Sequence, residues 1–337
     1  MTITSRTFGS LDGKRVDAFK LSSETGVEVE IIGYGVAVRD WKVPVAGTAP
    51  RSVVLGFEEF DAYPTHSPHF GALAGRVANR ISGGSFELDG RTYRLATSEG
   101  PNTLHGGPQG LGRQVWDGEA DSTDNSVRFS FFSPDGAMGF PGAVGFTAVY
   151  RLHGNRLKLE LTAKPDRRTP IALVQHQYFN LGTGVDVLDH HVTINASARS
   201  EVDADLIPTG AILPTKGTDY NFRTGHTLRR ADGTPLECDL NLVLATGRNH
   251  AEPVATVRGP DDRLTLKLWT DRPAVQLYNS VWTDVPVPGL GGRRYGRFSG
   301  LCLEDQMYPD ALHQPHFPSI IVSPDQPYSH WCEFEIG

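Results

Sequence analysis

The stretch "FTAVYRLHGNRLKLELTA" (residues 146–163) indicates the fold class of this 337-residue chain. On each side of Gly154-Asn155, apolar residues recur at every second position, which is the period that places alternate side chains on one face of a β-strand. A two-residue Gly-Asn connection is typical of a tight hairpin turn. These residues therefore predict two long strands that lie side by side and antiparallel.

The same alternation extends along the chain. It recurs in "SFELDGRTYRL" (85–95), where Asp89-Gly90 predicts a second hairpin, and in "SVRFSFF" (126–132), "LTLKLWT" (264–270) and "VQLYN" (275–279). No window of 12 or more residues carries a helical apolar stripe, and 37 Gly with 23 Pro interrupt the chain often. With no linker, charge block or repeat to divide it, the sequence predicts one all-β domain over residues 1–337, a sandwich of antiparallel sheets with few short helices.

Composition excludes several classes of partner. The formal net charge is −7, and the cationic residues are scattered without a basic stripe, so a nucleic-acid partner is not expected. No stretch approaches the ~20 apolar residues of a membrane span, and the first residues lack the apolar core of an export signal. The three cysteines are widely spaced and predict packing thiols. We therefore expect a cytoplasmic protein.

An unusual carboxylate ends the apolar run "GLCLE" (300–304). On a strand, Cys302 and Glu304 share one face and Leu301 and Leu303 the other. An acid carried into packed interior must be paired or have a raised pKa. Two interpretations of Glu304 are equally supported at this point. It is either a functional group that lines a cleft, or a glutamate at a strand end that bonds to an arginine or a backbone amide.

Further polar residues lie among apolar ones. In "IALVQHQYFNLG" (171–182), His176 is a candidate proton donor or acceptor, although a lone histidine is more often a packing residue, and the nearby aromatic rings suit the C–H faces of a sugar. Two loop-like stretches, "GRVANRISGG" (75–84) and "GPNTLHGG" (100–107), contain the candidates Asn79, Arg80 and His105. Arg80 could instead form a surface ion pair, and His105 could cap a turn. Asp239 and Gln276 are the last two candidates, each among apolar residues.

Metal and nucleotide sites are not predicted. His190-His191 and His313-x-x-His316 are weak pairs, because neighbours on a strand face opposite sides and no third ligand is in reach by sequence. No nucleophile elbow, phosphate loop or dinucleotide fingerprint is present. We expect neither metal nor cofactor.

Four stretches taken together resemble the aldose 1-epimerases, the galactose mutarotase family. "GRVANRI", "PNTLHGG", "HQYFNLG" and "CLEDQMYPDALHQPHFP" stand in that family's order and spacing, and the likeness extends from about Gly33 to Glu335. The resemblance implies a β-supersandwich with an open cleft. It also implies interconversion of the α and β anomers of a free aldose, without cofactor or metal. The sequence leaves open whether the protein is a monomer or a homodimer.

The resemblance also implies roles for residues. Glu304 is similar to the family's general base, His176 to its general acid, and His105 to a second histidine near the ring oxygen. The residues similar to those that hold sugar hydroxyls are Asn79, Arg80, His105, Gln177, Tyr178, Asp239 and Gln276. Which aldose is preferred is left open by the sequence.

Ring opening needs one proton to leave the anomeric hydroxyl and another to reach the ring oxygen. Our hypothesis is that Glu304 starts ionised and His176 starts as imidazolium. The alternatives are a catalytically silent sugar-binding module, a glycoside hydrolase, which would need a second carboxylate, and a hexose-phosphate epimerase, which would add a cationic cluster.

Overall fold

A computed structural model describes residues 2–337, and β-strands dominate it. Within those residues there is one short α-helix, Ala62–His66 (α1), and there are 3₁₀ turns at Ser82–Gly84, Leu111–Arg113, Ala137–Gly139, Phe222–Thr224 and Leu290–Gly292. The strands in chain order are Thr2–Leu11 (β1), Lys14–Ser22 (β2), Glu28–Ile32 (β3), Ala37–Val43 (β4), Arg51–Ser52 (β5), Leu73–Ala74 (β6), Arg80–Ile81 (β7), Ser85–Leu88 (β8), Arg91–Arg94 (β9), Thr103–Leu104 (β10), Asp117–Asp121 (β11), Ser126–Ser133 (β12), Val144–His153 (β13), Arg156–Pro165 (β14), Thr169–Pro170 (β15), Val174–Gln175 (β16), His191–Ile194 (β17), Ala196–Val202 (β18), Pro208–Pro214 (β19), His226–Thr227 (β20), Asp239–Leu244 (β21), Ala255–Arg258 (β22), Thr265–Thr270 (β23), Ala274–Tyr278 (β24), Cys302–Gln306 (β25), Ile321–Val322 (β26) and Tyr328–Ile336 (β27).

Both predicted hairpins are present. Strands β13 and β14 pair from Val144–Pro165 to His153–Arg156, so Gly154 and Asn155 form the turn. Strands β8 and β9 pair across Asp89-Gly90, where both residues have positive φ, as a tight hairpin turn requires. Alternation of side chains along these strands leaves one face of each hairpin in the core.

Three large antiparallel sheets make up the molecule. A nine-stranded sheet has the order β11-β12-β13-β14-β27-β23-β22-β17-β20, a five-stranded sheet joins β1 to β5 in sequence, and a second five-stranded sheet has the order β19-β18-β21-β24-β25. Four two-stranded sheets complete the fold. The all-β class and the sheet sandwich are thus confirmed, and no helix among residues 2–337 has the length and apolarity needed to cross a bilayer.

The main hydrophobic core lies where the three large sheets face one another. Phe146 and Phe334 come from the nine-stranded sheet, Trp41 from the first five-stranded sheet, and Leu303 from the second, and all are almost fully buried. A second cluster, which contains Tyr178 and Cys302, lies next to this core. The sheets are therefore packed tightly enough to fix one outer face as a rigid platform.

That platform is the outer face of the second five-stranded sheet. Gln276 on β24 lies directly opposite Glu304 on β25, while Asp239 on β21 lies opposite Tyr278 on β24. Residues directly opposite each other on antiparallel strands share a face. Because Leu303 points into the core, Glu304 points outward, as the alternation in "GLCLE" predicts.

Candidate active site

A cleft of about 590 Å³ opens over this platform. Its floor comes from strands β21, β24 and β25, and its walls come from the segments around His105 and His176. All but one of the predicted site residues line it: Glu304, His176, His105, Asn79, Arg80, Tyr178, Asp239 and Gln276. Residues that are up to 225 positions apart in sequence are therefore gathered around one cavity.

Glu304 and His176 face each other at the bottom of the cleft. Nε2 of His176 lies 3.6 Å from Oε2 of Glu304, and both side chains are almost completely buried. Within residues 2–337, Oε2 of Glu304 and Nδ1 of His176 have no hydrogen-bond partner. Buried polar atoms are rarely left unpaired in proteins, so Oε2 of Glu304, on a residue that lines the cleft, points to a ligand that supplies the missing bond.

Burial shifts the pKa of the two groups in opposite directions. The pKa of Glu304 is raised well above its ordinary value, chiefly by loss of hydration and then by the carboxylate of Asp239. The pKa of His176 is lowered to about 3, chiefly by burial and then by the neighbouring His69. Burial therefore disfavours the charged form of each group.

These pKa shifts run against the charged pair that the sequence led us to expect. The charged pair and the neutral pair contain the same number of protons. In the charged pair the shared proton lies on His176, and in the neutral pair it lies on Glu304. Burial from solvent, which the residue types alone do not reveal, favours the neutral arrangement. The burial of both groups therefore opposes the charged pair of our hypothesis, which stays a prediction.

His105 is held as a neutral donor beside this pair. Its Nδ1 accepts the backbone N–H of Asn79 at 3.2 Å, which leaves the proton of a neutral ring on Nε2. Burial, followed by the neighbouring imidazoles of His69 and His176, keeps the pKa of His105 well below its ordinary value. Asn79 in turn accepts the backbone N–H of Arg80 through Oδ1 at 2.9 Å. The loop geometry therefore presents a polar N–H of His105 for hydrogen bonding.

Two further pairs arrange the polar wall. Arg80 binds Glu99 through two hydrogen bonds of 2.6 and 2.9 Å, which fixes the plane of its guanidinium. Gln276 donates from Nε2 to Asp239 at 2.6 Å and accepts from Gln306 at 3.1 Å. Burial raises the pKa of Asp239. These side chains are oriented before any ligand arrives.

Gln177 does not lie in the cleft. Its Nε2 donates to Oε1 of Gln175 at 2.6 Å, in the interior, and the residue is buried. Side chains alternate along this extended segment, so His176 and Tyr178 face the cleft while Gln175 and Gln177 face the other way. The sequence contains a signal for this result: in "HQY" (176–178) the middle side chain faces away from its two neighbours on an extended segment, so Gln177 cannot share a face with His176 and Tyr178.

Several residues of the cleft were not found by sequence reasoning. His69 is partly exposed in the cleft, with its ring centroid 4.7 Å from that of His105. Trp282, which is 71% exposed, and Tyr278 add aromatic surface, and Glu99 fixes Arg80. None of these positions interrupts an apolar run, which is the pattern that singled out Glu304.

Two trios of side chains have the donor types of a metal site. His105, His176 and Glu304 have ligand atoms within 4.8 Å of one another, as do Asp305, His330 and Cys332. In the second trio, Nδ1 of His330 lies 2.6 Å from Oδ1 of Asp271, within hydrogen-bond distance. The histidine pairs that the sequence raised have other roles: Nε2 of His190 accepts the Leu181 N–H, while His313 bonds Asp310 and His316 bonds the carbonyl of Gly210.

The family model described as aldose 1-epimerase matches residues 17–335 of the chain. Galactose mutarotase of Bos taurus is 38% identical over 349 residues, covering all of both chains. Galactose mutarotase of Homo sapiens is 36% identical over 344 residues, covering 100% of this chain and 99% of that one. Aldose 1-epimerase of Escherichia coli K12 is 30% identical over 334 residues, with 96% of each chain covered.

Solved structures agree with these similarities. An aldose epimerase homologue from C. elegans superposes with a TM-score of 0.89 at 28% identity, covering 94% of this chain and 98% of the other. Galactose 1-epimerase from Lactobacillus acidophilus NCFM superposes with a TM-score of 0.84 at 23% identity, covering 100% and 98%. At that lower identity, the second likeness concerns the fold alone.

Proposed function

Because this chain belongs to the aldose 1-epimerase family and interconverts the anomers of a free aldose, we propose that Glu304 and His176 transfer the protons and that galactose is a substrate. The single observation that supports the assignment most is the approach of Nε2 of His176 to Oε2 of Glu304, a buried oxygen that has no hydrogen-bond partner among residues 2–337 and belongs to a residue lining the cleft. A carboxyl and an imidazole 3.6 Å apart suit the two oxygens on C1 of a pyranose, because those oxygens share one carbon.

Ring opening uses the one proton that the pair holds. When O1–H of the sugar donates to Glu304, the ionised carboxylate is stabilised and the proton moves to His176. The carboxylate then takes the O1 proton while His176 gives its proton to the ring oxygen, the C1–O5 bond breaks, and the aldehyde forms. No nucleophile, metal or cofactor takes part in this scheme.

Ring closure reverses these transfers on the other face of the carbonyl. Rotation about C1–C2 presents that face, neutral His176 takes the proton of the O5 hydroxyl, and Glu304 returns its proton to O1. Closure leaves the pair as carboxylate and imidazolium, and the proton returns from His176 to Glu304 when the product leaves, which restores the starting state. Fixed positions of the acid and the base against one bound sugar add the rate benefit of intramolecular geometry.

The remaining hydroxyls are bound by the preoriented wall. Arg80 and Asn79 present donors, Asp239 presents a carboxylate, and Gln276 lies between Asp239 and Glu304 on the floor. The exposed ring of Trp282 at the rim offers a flat apolar surface for the C–H face of the sugar. This division of polar and apolar contacts is the one a pyranose requires.

Galactose is proposed because relatives that match all of this chain at 36–38% identity are named galactose mutarotases. Freshly dissolved α-galactose, α-glucose and α-xylose are followed by anomeric-proton NMR or polarimetry with and without enzyme. We expect acceleration over the spontaneous rate for all three, with the highest kcat/KM for galactose. Acceleration of glucose or xylose but not of galactose contradicts the proposed substrate.

The pH dependence follows from the one-proton state of the pair. Below the lowered pKa of His176, about 3, a second proton removes the base, and above the raised pKa of Glu304 the last proton is lost and no acid remains. We therefore expect the acid limb of kcat/KM to lie far below the ordinary histidine pKa of about 6.5, and the alkaline limb to lie above the ordinary pKa of a glutamate.

Initial rates across pH, corrected for the spontaneous reaction, measure this profile, and circular dichroism at each pH confirms that the protein stays folded. The titratable groups that face His176 are His69, His105, Glu304, Tyr178 and Tyr278, so the two limbs of the pH profile describe the cluster and not one residue. An acid limb centred near pH 6.5 contradicts the expectation.

The alternative functions find less support. Among the cleft residues in the described part of the chain, Arg80 is the one cation, and Glu99 already pairs with it, so a phosphate finds no cationic cluster. Retention of both Glu304 and His176 in contact geometry argues against a silent module. Comparison of galactose with galactose 6-phosphate tests the first point directly.

A further inference from the structure

His69 adds a third imidazole to the cleft. Its ring centroid lies 4.7 Å from that of His105 and 5.9 Å from that of His176, and its plane is within 16° of the plane of His176. The side chain is partly exposed to the cavity. The proton transfers described above do not use this residue.

The backbone at His69 is held in an uncommon conformation. Its φ is +83°, a left-handed value that residues other than glycine adopt rarely and at a cost of about 1–3 kcal/mol. The surrounding segment is bonded to the residue it faces: the N–H of Gly71 donates to the carbonyl of His176, and the N–H of His176 donates to the carbonyl of Ala72, each at 2.9 Å. The position of His69 relative to His176 is therefore fixed by backbone pairing.

The imidazole of His69 has nothing to bond within the protein. Its carbonyl accepts the N–H of Ala72 at 3.0 Å, but no hydrogen bond joins its ring nitrogens to another of residues 2–337. Burial, together with the nearby Arg113, lowers the pKa of His69 to about 4. At neutral pH the ring therefore presents one donor and one acceptor nitrogen to a ligand.

The position of His69 corresponds to one end of the sugar. Glu304, His105 and His176 each have a nitrogen or oxygen atom within 4.8 Å of those of the other two. His69 lies next to the two histidines of this trio. In a pyranose, the ring oxygen is bonded only to C1 and C5. With Glu304 at O1 and His176 at the ring oxygen, the next group beyond the imidazoles is the substituent on C5.

We propose that His69 determines specificity by hydrogen bonding the exocyclic hydroxyl on C5, O6 of an aldohexose. This inference rests on the proposed function, since it takes the orientation of the sugar from the Glu304–His176 pair. A site built to bond a hydroxyl rejects the analogue that lacks it, because a polar group is then left unpaired. The protein should therefore prefer hexoses to their 6-deoxy and pentose counterparts.

The test compares three sugars that differ only at C5. Galactose carries CH₂OH, 6-deoxygalactose carries CH₃, and L-arabinose carries hydrogen in the same ring configuration. In the wild type, we expect kcat/KM for galactose to exceed that for the other two. In His69→Phe, we expect a loss of about tenfold for galactose, the value of one hydrogen bond, and less than about twofold for the other sugars.

Two variants keep the result interpretable. His69→Asn accepts the left-handed backbone but is too short to reach the sugar, so it should repeat the galactose-selective loss with an unchanged thermal midpoint. His153→Phe, at a half-exposed position on β13, is the matched control and should leave all three sugars unaffected.

Equal losses on the three sugars in both His69 variants, or a wild type that treats galactose and 6-deoxygalactose alike, overturn the role of His69. Such results leave the proposed function standing, whereas a wild type that fails to accelerate galactose overturns the proposed substrate.

Discussion

A Glu304→Gln variant is expected to lose kcat by a factor of about 10² to 10⁴, the usual contribution of one acid or base group, with KM for galactose changed little. The amide keeps the shape of the side chain and its hydrogen-bonding oxygen, but it cannot hold the proton that must leave O1. Because Glu304 is buried and lies opposite Gln276 on a paired strand, its replacement should not move the floor of the cleft. Initial rates by polarimetry, together with sugar binding by calorimetry, measure the two effects separately.

The matched control is Glu252→Gln, which removes a carboxylate from an exposed position before β22. Its kcat and KM should equal those of the wild type. Turnover of Glu304→Gln within a few-fold of the wild type contradicts the assignment of the base. Loss of binding along with turnover indicates a structural role instead.

Replacement of His176 by asparagine is expected to cost kcat about as much, roughly 10² to 10⁴, because the ring oxygen then lacks its proton donor. The double variant Glu304→Gln/His176→Asn should be little slower than either single variant, since groups that act as one unit give non-additive losses. His176 also stacks on Tyr178, at 4.9 Å between ring centroids, so a thermal melt must accompany the kinetics.

His153→Asn, at the half-exposed position on β13, should leave the rate unchanged and serves as the histidine control. Strictly multiplicative losses in the double variant argue that Glu304 and His176 act in separate steps. Near-normal turnover in His176→Asn assigns the acid to another group.

Local features of the fold were predictable from the sequence because they depend on near neighbours. The turn at Gly154-Asn155 and the alternation of "LKLELTA" are sufficient for the β13–β14 hairpin. Long-range pairing was not predictable: strand β27 lies between β14 and β23, an order that depends on burial in the finished sandwich. Several strands with similar apolar faces compete for such a position, and no local pattern chooses among them.

The candidate site was predictable where polar residues interrupt apolar runs or match a family motif. Glu304 and His176 meet both conditions, and the structure places them 3.6 Å apart. Gln177 lies within the stretch that resembles the family, at a position where that family often has a small hydroxyl residue, but it faces the interior because strand alternation decides which face a side chain takes. His69 gave no signal, since its importance depends on a left-handed backbone and on neighbours distant in sequence.

Protonation was the property least accessible from the sequence. Residue types supply ordinary pKa values, under which an ionised glutamate and a charged histidine coexist. Burial of both groups, with Asp239 near the carboxyl and His69 near the imidazole, shifts each pKa the other way. Only the assembled cavity provides this information.

The division of the cleft between a strand-built floor and a loop-built rim affects how such an enzyme diversifies. Glu304 and Gln276 are held by sheet pairing, whereas Pro101, Asp205 and Trp282 lie in connecting segments at the mouth. Connecting segments tolerate insertion and substitution far better than paired strands do. Substitutions in the mouth can therefore change which monosaccharide is bound, while the paired strands keep the proton-transferring carboxyl in place.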